Sequence, residues 1–229
     1  MCFSWERRIN MHLQEAHLKL NPLAGIPFGK LFNKSELETI IINKGKTGQL
    51  LELALDMKLS NSNLDFDDGE LKTNKCDRNG KPRETVFITQ IASVIDELIE
   101  ENPFEETHLY EKINNILYIP VCKDGNPTDW MFLPSIHIDL TNPSFSSLLK
   151  TWEDDYYSIC KQLKHHIENS VDGFIHTSNG THIQVRSKDS KPYHPIYSKI
   201  YGRNVSNKNH AFYFQKQFVF DVQKFSKKI

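Results

Sequence analysis

Asp65-Phe66-Asp67-Asp68-Gly69-Glu70-Leu71-Lys72-Thr73 is the stretch on which the reading of this chain turns. An acidic turn comes first, and an extended Glu-x-Lys segment follows it. In a strand over Gly69–Thr73 the period of two puts Glu70 and Lys72 on one face and points Leu71 the other way, into a core. A carboxylate and an ammonium aligned beside a second carboxylate, Asp65 or Asp67, have a chemical use. The two acids can hold a hard divalent cation while the lysine orients or activates a water. That is the logic of Mg²⁺-dependent phosphodiester hydrolysis. A plain surface strand with an Asp-Gly turn carries the same residues, so the flanks must discriminate.

Before the turn, Gln49–Asp56 reads as a helix in which Leu50, Leu51, Leu53, Ala54 and Leu55 supply core bulk around one acid, Glu52. An acid embedded there needs a partner, and a nearby metal would provide one. The loop entering that helix, Asn43–Gly48, holds Lys44 and two glycines, a natural phosphate contact at a helix N-terminus. It lacks the Gly-x-x-x-x-Gly-Lys-Ser/Thr spacing of a Walker loop. Earlier still, Glu6–Leu20 reads as helical, and Ser35-x-x-Glu38 as a capping box for a helix over Glu36–Ile42. After the turn, Asn79-Gly80 predicts a hairpin from the Glu-x-Lys strand to a strand over Glu84–Thr89. Ile91–Glu101 is acidic and partly amphipathic. Tyr110–Val121 reads as a central strand preceded by polar residues, and Ser147–Ile167 as a long helix. Asn179-Gly180 predicts a second hairpin, between Gly173–Thr177 and Thr181–Arg186, and Ala211–Val222 reads as a final strand. This alternation predicts an α/β or α+β sheet sandwiched by helices.

A chain of 229 residues fits one sizeable domain or one domain with two lobes. No apolar run approaches the roughly 20 residues that span a bilayer. Cys2, Cys76, Cys122 and Cys160 are far apart and form no Cys-x-x-Cys, so neither a zinc knuckle nor a disulfide framework is indicated. A cytoplasmic protein without membrane contact is the expectation. The formal net charge of −1 argues against a general polyanion coat, but the charges are unevenly placed. Residues 92–155 carry 3 Lys/Arg against 13 Asp/Glu, whereas residues 156–229 carry 12 against 4. A basic last third on a chain that is near neutral overall is a face prepared for phosphates.

Taken together, several stretches resemble the MutH family, which comprises a mismatch-repair strand-nicking endonuclease and related restriction endonucleases that recognise GATC. They are Ala24–Leu31 (AGIPFGKL), Lys44–Ala54 (KGKTGQLLELA), Asp65-Phe66 with Gly69–Thr73, Asp77–Val86 (DRNGKPRETV), Leu117–Val121 (LYIPV), Ile183–Lys188 (IQVRSK) and Ala211–Phe218 (AFYFQKQF). The fold implied is the PD-(D/E)xK restriction-endonuclease-like fold, a mixed central sheet flanked by helices. Its two lobes would form a DNA cleft, with residues 1–123 catalytic and 124–229 recognising DNA. The resemblance implies that Asp65, Glu70 and Lys72 are the catalytic acid, acid and lysine, with Glu52 close to the metals and Lys112 a further active-site lysine. One or two Mg²⁺ ions would be held by Asp65, Glu70, the Leu71 carbonyl and Glu52. Asp67 stays open as the alternative to Asp65, because the interval to Glu70 is shorter than in the mismatch-repair enzyme. Lys44 resembles a backbone-contacting lysine, Arg186 and Lys188 the residues that read GATC, and Tyr213 a tyrosine near the same DNA. The implied substrate is double-stranded DNA. The partner is either a cognate DNA methyltransferase, for restriction, or a MutL-type ATPase, for mismatch repair. The Ile/Asn/Lys-rich composition leans towards restriction.

Overall fold

The computed structural model describes residues 11–42, 51, 54–55, 64–188 and 191–226. In chain order the helices are α1 (Leu13–Leu20), α2 (Phe28–Leu31), α3 (Lys34–Ile42), α4 (Ile95–Glu100), α5 (His108–Ile113), α6 (Ser146–Asn169) and α7 (Lys216–Ser226). The strands are β1 (Glu70–Cys76), β2 (Val86–Gln90), β3 (Asn115–Cys122), β4 (Met131–Phe132), β5 (Ile136–Asp139), β6 (Ser178–Asn179), β7 (Ile183–Ser187), β8 (Ile196–Ser198), β9 (Arg203–Ser206) and β10 (His210–Phe214). Among the described residues no helix is long and apolar enough to cross a membrane. The predicted loop Asn43–Gly48 and most of the predicted helix Gln49–Asp56 lie outside the described residues.

The chain divides into two compact units, Met1–Lys81 with Ile116–His137, and Pro82–Asn115 with Ile138–Ile229. In the first unit β1 runs parallel to β3, with Lys72 opposite Tyr118. β4 pairs antiparallel with β3, and β5 also pairs with β3. β3 is buried along almost its whole length, as expected of an inner strand in a partly parallel sheet. Leu71, Leu117, Ile119 and Val121 pack with Leu13, Ala16 and Leu20 of α1 and with Phe28 and Phe132. The Ala24–Leu31 stretch is pinned to β4, because the Gly25 amide donates to Phe132 O (2.8 Å) and the Phe28 amide to Trp130 O (2.7 Å).

The second unit has an antiparallel sheet in the order β2-β10-β7-β6, plus a β8–β9 ribbon. Its longest helix, α6, buries Leu148, Trp152, Tyr156, Ile159, Leu163 and Ile167, a stripe at helical spacing. Trp152 is wholly buried and stacks near Phe214 (4.9 Å) and Phe218 (5.8 Å), contacts that add about 0.5–1.5 kcal/mol each beyond area burial. The one acid in the stripe, Asp155, is only 4% exposed because it accepts three main-chain amides from the β6–β7 turn. These are Thr181 (2.5 Å), His182 (2.7 Å) and Ile183 (2.8 Å). Gly180 is required there: a Cβ would fall 2.3 Å from the Asp155 carboxylate.

Several expectations are corrected. The sequence predicts one central sheet, whereas among the described residues the strands form two four-stranded sheets and a ribbon. Asn79-Gly80 does make a turn, with Asp77 accepting the Asn79 and Lys81 amides at 2.9 and 3.0 Å. It joins no hairpin, however, because β1 pairs with β3 and β2 with β10. The Tyr110–Val121 strand begins only at Asn115; before it, Thr107 caps α5 by accepting the Tyr110 amide at 3.1 Å. The Ala211–Val222 strand ends at Phe214, and Lys216 belongs to α7, where Phe218, Val219 and Val222 recur at helical spacing. Aromatic β-formers on both sides of Gln215 hid that change of period. The box ahead of α3 is Asn33 with Glu36, not Ser35 with Glu38: Asn33 Oδ1 accepts the Glu36 amide (3.0 Å), and Glu36 Oε2 accepts the Asn33 amide (2.7 Å).

Candidate active site

Strand β1 carries the core of the site. Leu71 is buried in the core of the first unit, and Glu70 and Lys72 share the other face, as alternation requires. Both are nearly sealed from solvent, 5% and 6% exposed, and Lys72 Nζ donates to Glu70 Oε2 at 2.5 Å. Burying a charge is costly unless it is paired and hydrogen-bonded, and each of these side chains is the other's partner. The next residue on that face, Asn74, is also buried and accepts the Tyr118 hydroxyl at 2.6 Å. Burial keeps the Tyr118 phenol far above its ordinary pKa, so it stays a neutral donor beneath the charged pair.

The acidic turn is tied down residue by residue. Asp65 Oδ2 accepts the Leu71 amide at 2.9 Å, which brings its carboxylate to the start of β1 beside Glu70. The Asp67 amide donates to Met11 O (3.2 Å), and the Asp67 side chain is exposed. Asp68 accepts the Leu13 amide (2.8 Å) and meets His12 Nδ1 at 3.3 Å, so its carboxylate serves the start of α1. Lost hydration and the Glu70 charge push the Asp65 carboxyl above its ordinary pKa, against the downward pull of the Leu71 amide and Lys72. Asp65 is nevertheless exposed as a residue, so the crowding by Glu70 weighs more than burial in that rise. Two carboxylates held together this way suit a hard divalent cation, which would relieve their repulsion. Among the described residues no group of three or more His, Cys, Asp or Glu converges as a metal cluster. The fit therefore rests on Asp65 and Glu70, with the Leu71 carbonyl as a main-chain donor. Glu52 and Lys44 lie outside the described residues. Lys112 stands in the last turn of α5, half-buried, and belongs to the second unit.

The second unit brings the other named residues together. Arg186 on β7 lays its guanidinium over the Tyr213 ring of β10 (4.3 Å) and donates to Thr85 Oγ1 at 3.0 Å. Lys188 Nζ lies 5.2 Å from the ring centre of Phe87, which meets Tyr213 edge-on at 5.6 Å. A register shift between Phe212 and Tyr213 re-aims this part of β10 against β2. Phe87 is 42% exposed. Arg186, Lys188 and Tyr213 thus form one cation–aromatic surface, with Phe87 an unforeseen member. Asn74 and Tyr118 were also missed. Asn74 was foreseeable by carrying the period of two one step past Lys72, whereas the Tyr118 partner emerges only from the parallel register.

A family model described as DNA mismatch repair enzyme MutH matches residues 57–130. That span includes Asp65, Glu70, Lys72 and Lys112 and ends before Arg186. The DNA mismatch repair protein MutH of Shewanella woodyi (strain ATCC 51908 / MS32) is 33% identical over 151 residues. The alignment covers 62% of this chain and 64% of that relative's length.

Proposed function

We propose that this chain is a member of the MutH family and a divalent-metal-dependent DNA endonuclease of the PD-(D/E)xK kind acting at GATC-type sites. The observation that carries this is the buried Glu70–Lys72 pair on one face of β1, beside an Asp65 carboxylate anchored to the Leu71 amide. Asp65, Glu70 and the Leu71 carbonyl would hold Mg²⁺, and the resemblance adds Glu52 to that set. When bound, the ion supplies Lewis-acid polarisation of the phosphate and lowers the pKa of a water. Lys72 holds the attacking water in line with phosphorus, its ammonium fixed by Glu70 and kept from bulk solvent. By the resemblance, Lys112 would be a second cation, stabilising developing charge on the phosphoryl oxygens. Arg186 reads guanine O6 and N7 through its fork, and Lys188, Lys44 and Tyr213 hold the duplex in register.

Both matches carry mismatch-repair names, which supports strand nicking with a MutL-type ATPase over restriction with a methyltransferase. A single catalytic set per chain also hydrolyses one strand per encounter. The test is incubation of purified protein and Mg²⁺ with supercoiled plasmids that carry or lack GATC. Nicked circles should accumulate on the GATC plasmid alone, increase with an added MutL-type ATPase, and vanish with chelator. Linear product from the protein alone would favour restriction. No cleavage of either plasmid in Mg²⁺ or Mn²⁺ would overturn the nuclease assignment.

A further inference from the structure

Beyond the Arg186–Tyr213 surface the basic character of the second unit continues. From Ile183 to Lys216 the chain carries seven Lys/Arg and one acid, Asp189. Two of the lysines converge on a single ring: Lys191 Nζ lies 6.0 Å and Lys208 Nζ 5.7 Å from the centre of Tyr193. Tyr193 is itself 41% exposed and Lys191 is exposed, with Lys208 half-buried, so the ring and its cations are accessible from one side. The Lys208 main chain is clamped, because Ser206 Oγ accepts its amide (3.1 Å) and donates to its carbonyl (2.8 Å). The adjoining residue Asn209 accepts the Lys188 amide at 2.7 Å, which ties this cluster to the edge of β7 next to Lys188. Among the described residues neither Lys191 nor Lys208 forms a salt bridge.

Two ammonium groups drawn to one aromatic ring concentrate positive charge around it, at the limit of the range over which the ring attracts them. Such a concentration of charge gains from anionic groups drawn to it. Lysine ammonium groups are point charges without the planar fork that reads bases, so they suit phosphate oxygens. Holding the side chains on a ring also removes part of the freedom they would otherwise lose on binding. We propose that Lys191, Tyr193 and Lys208 form a phosphate-backbone clamp that extends the DNA footprint past the recognised bases. This rests on the reading of the chain as a DNA endonuclease. The clamp adds affinity on duplexes long enough to reach it and adds no sequence information.

The test compares wild-type protein with a Lys191→Ala/Lys208→Ala variant, using two duplexes that share one GATC. One has only a few flanking base pairs and the other has long flanks. On the long duplex the double variant should bind about tenfold more weakly. Its slope of log K against log salt should be shallower by roughly 1.8, at about 0.9 per lost phosphate contact. On the short duplex the two proteins should match, and GATC preference should be unchanged on both. Tyr193→Ala should reproduce part of the loss, and Tyr193→Phe should not. An unchanged salt slope on the long duplex, or an altered site preference, would overturn the clamp and leave the nuclease standing. Failure of the wild-type protein to bind or cut either duplex would instead remove the endonuclease reading and the clamp with it.

Discussion

Lys72 and Arg186 are both cations on strands, and the structure treats them in opposite ways. Lys72 is sealed on β1 against Glu70 at 2.5 Å, 6% exposed, in one geometry. Arg186 lies exposed on β7 with its guanidinium over the face of Tyr213. The first arrangement suits chemistry. A buried pair is costly to form and hard to move, so in the proposed reaction its donor would need no reorganisation. The second would suit recognition: a cation on a ring is oriented, and the guanidinium donors not given to Thr85 could exchange water for an acceptor on a ligand. The contrast holds within each unit and does not depend on how the two are placed.

The largest expected effect comes from splitting the buried pair. Lys72→Ala should lower cleavage on the order of a hundred- to a thousandfold, the scale for loss of one preorganised charge donor. It should also destabilise the fold by about 3–5 kcal/mol in urea unfolding, because Glu70 is left buried without its partner. Replacing both residues, Glu70→Leu with Lys72→Met, should recover most of that stability and none of the activity. If Lys72→Ala cut at near the wild-type rate, the pair would be structural only and the comparison with Arg186 would collapse. Arg186→Ala should shift stability far less, by about 0.5–1 kcal/mol.

The pair itself was legible in the sequence because a strand's alternation is strict: once Gly69–Thr73 is extended, Glu70 and Lys72 must share a face and Leu71 must enter the core. The choice between Asp65 and Asp67 was not legible. It depends on which carboxylate finds the Leu71 amide, and on Asp68 and the Asp67 main chain being engaged by residues 11–13, some fifty positions earlier. Strand partners were hidden for a similar reason. Asn79-Gly80 announces a turn whatever follows it, whereas the pairing of β1 with β3 is set by burial of residues remote in the chain. Lys216 was misplaced because Phe and Val favour strands locally and fill a helix face equally well when their spacing is three or four. The resemblance grouped Arg186, Lys188 and Tyr213 by role; that they share one surface follows from the β7–β10 register.

A smaller effect tests the recognition side. Arg186→Ala should narrow the discrimination between GATC and single-base variants by about 1–3 kcal/mol, the value of one bidentate guanine contact. Competition binding over a set of single-base variants reads this directly. Lys188→Ala should instead weaken every sequence alike and lower the salt dependence. Uniform loss with Arg186→Ala would make it a phosphate contact and leave base reading to other residues.

The smallest effect contrasts a carboxylate from each unit, in metal-free buffer. Asp65 has its pKa raised, through lost hydration and Glu70, whereas Asp221 on α7 is lowered to about 2. Burial acts upward on Asp221 too, but hydrogen bonds from Gln217, Lys224 and His182 outweigh it. The His182 contact is directional: Trp152 Nε1 donates to His182 Nδ1 (3.2 Å), so the ring proton sits on Nε2 and is given to Asp221 Oδ2 (3.0 Å). The signs then differ. A carboxyl raised in the folded state disfavours folding at neutral pH, and that penalty fades as pH falls through the raised value to the ordinary 3.8. A carboxyl lowered in the folded state contributes stability that is complete above the ordinary 3.8 and disappears as pH falls to about 2. Asp65→Asn should therefore stabilise the metal-free protein at pH 7, and Asp221→Asn should destabilise it. Asp221 sits near the surface, so about 0.2–1 kcal/mol is the expected scale there. Both differences from wild type should shrink towards pH 2 in thermal unfolding followed by circular dichroism. With Mg²⁺ added at pH 7 the Asp65→Asn advantage should reverse, because only the wild-type carboxylate gains from the ion. Equal responses of the two variants to pH, or no reversal with Mg²⁺, would show that Asp65 is an ordinary turn residue.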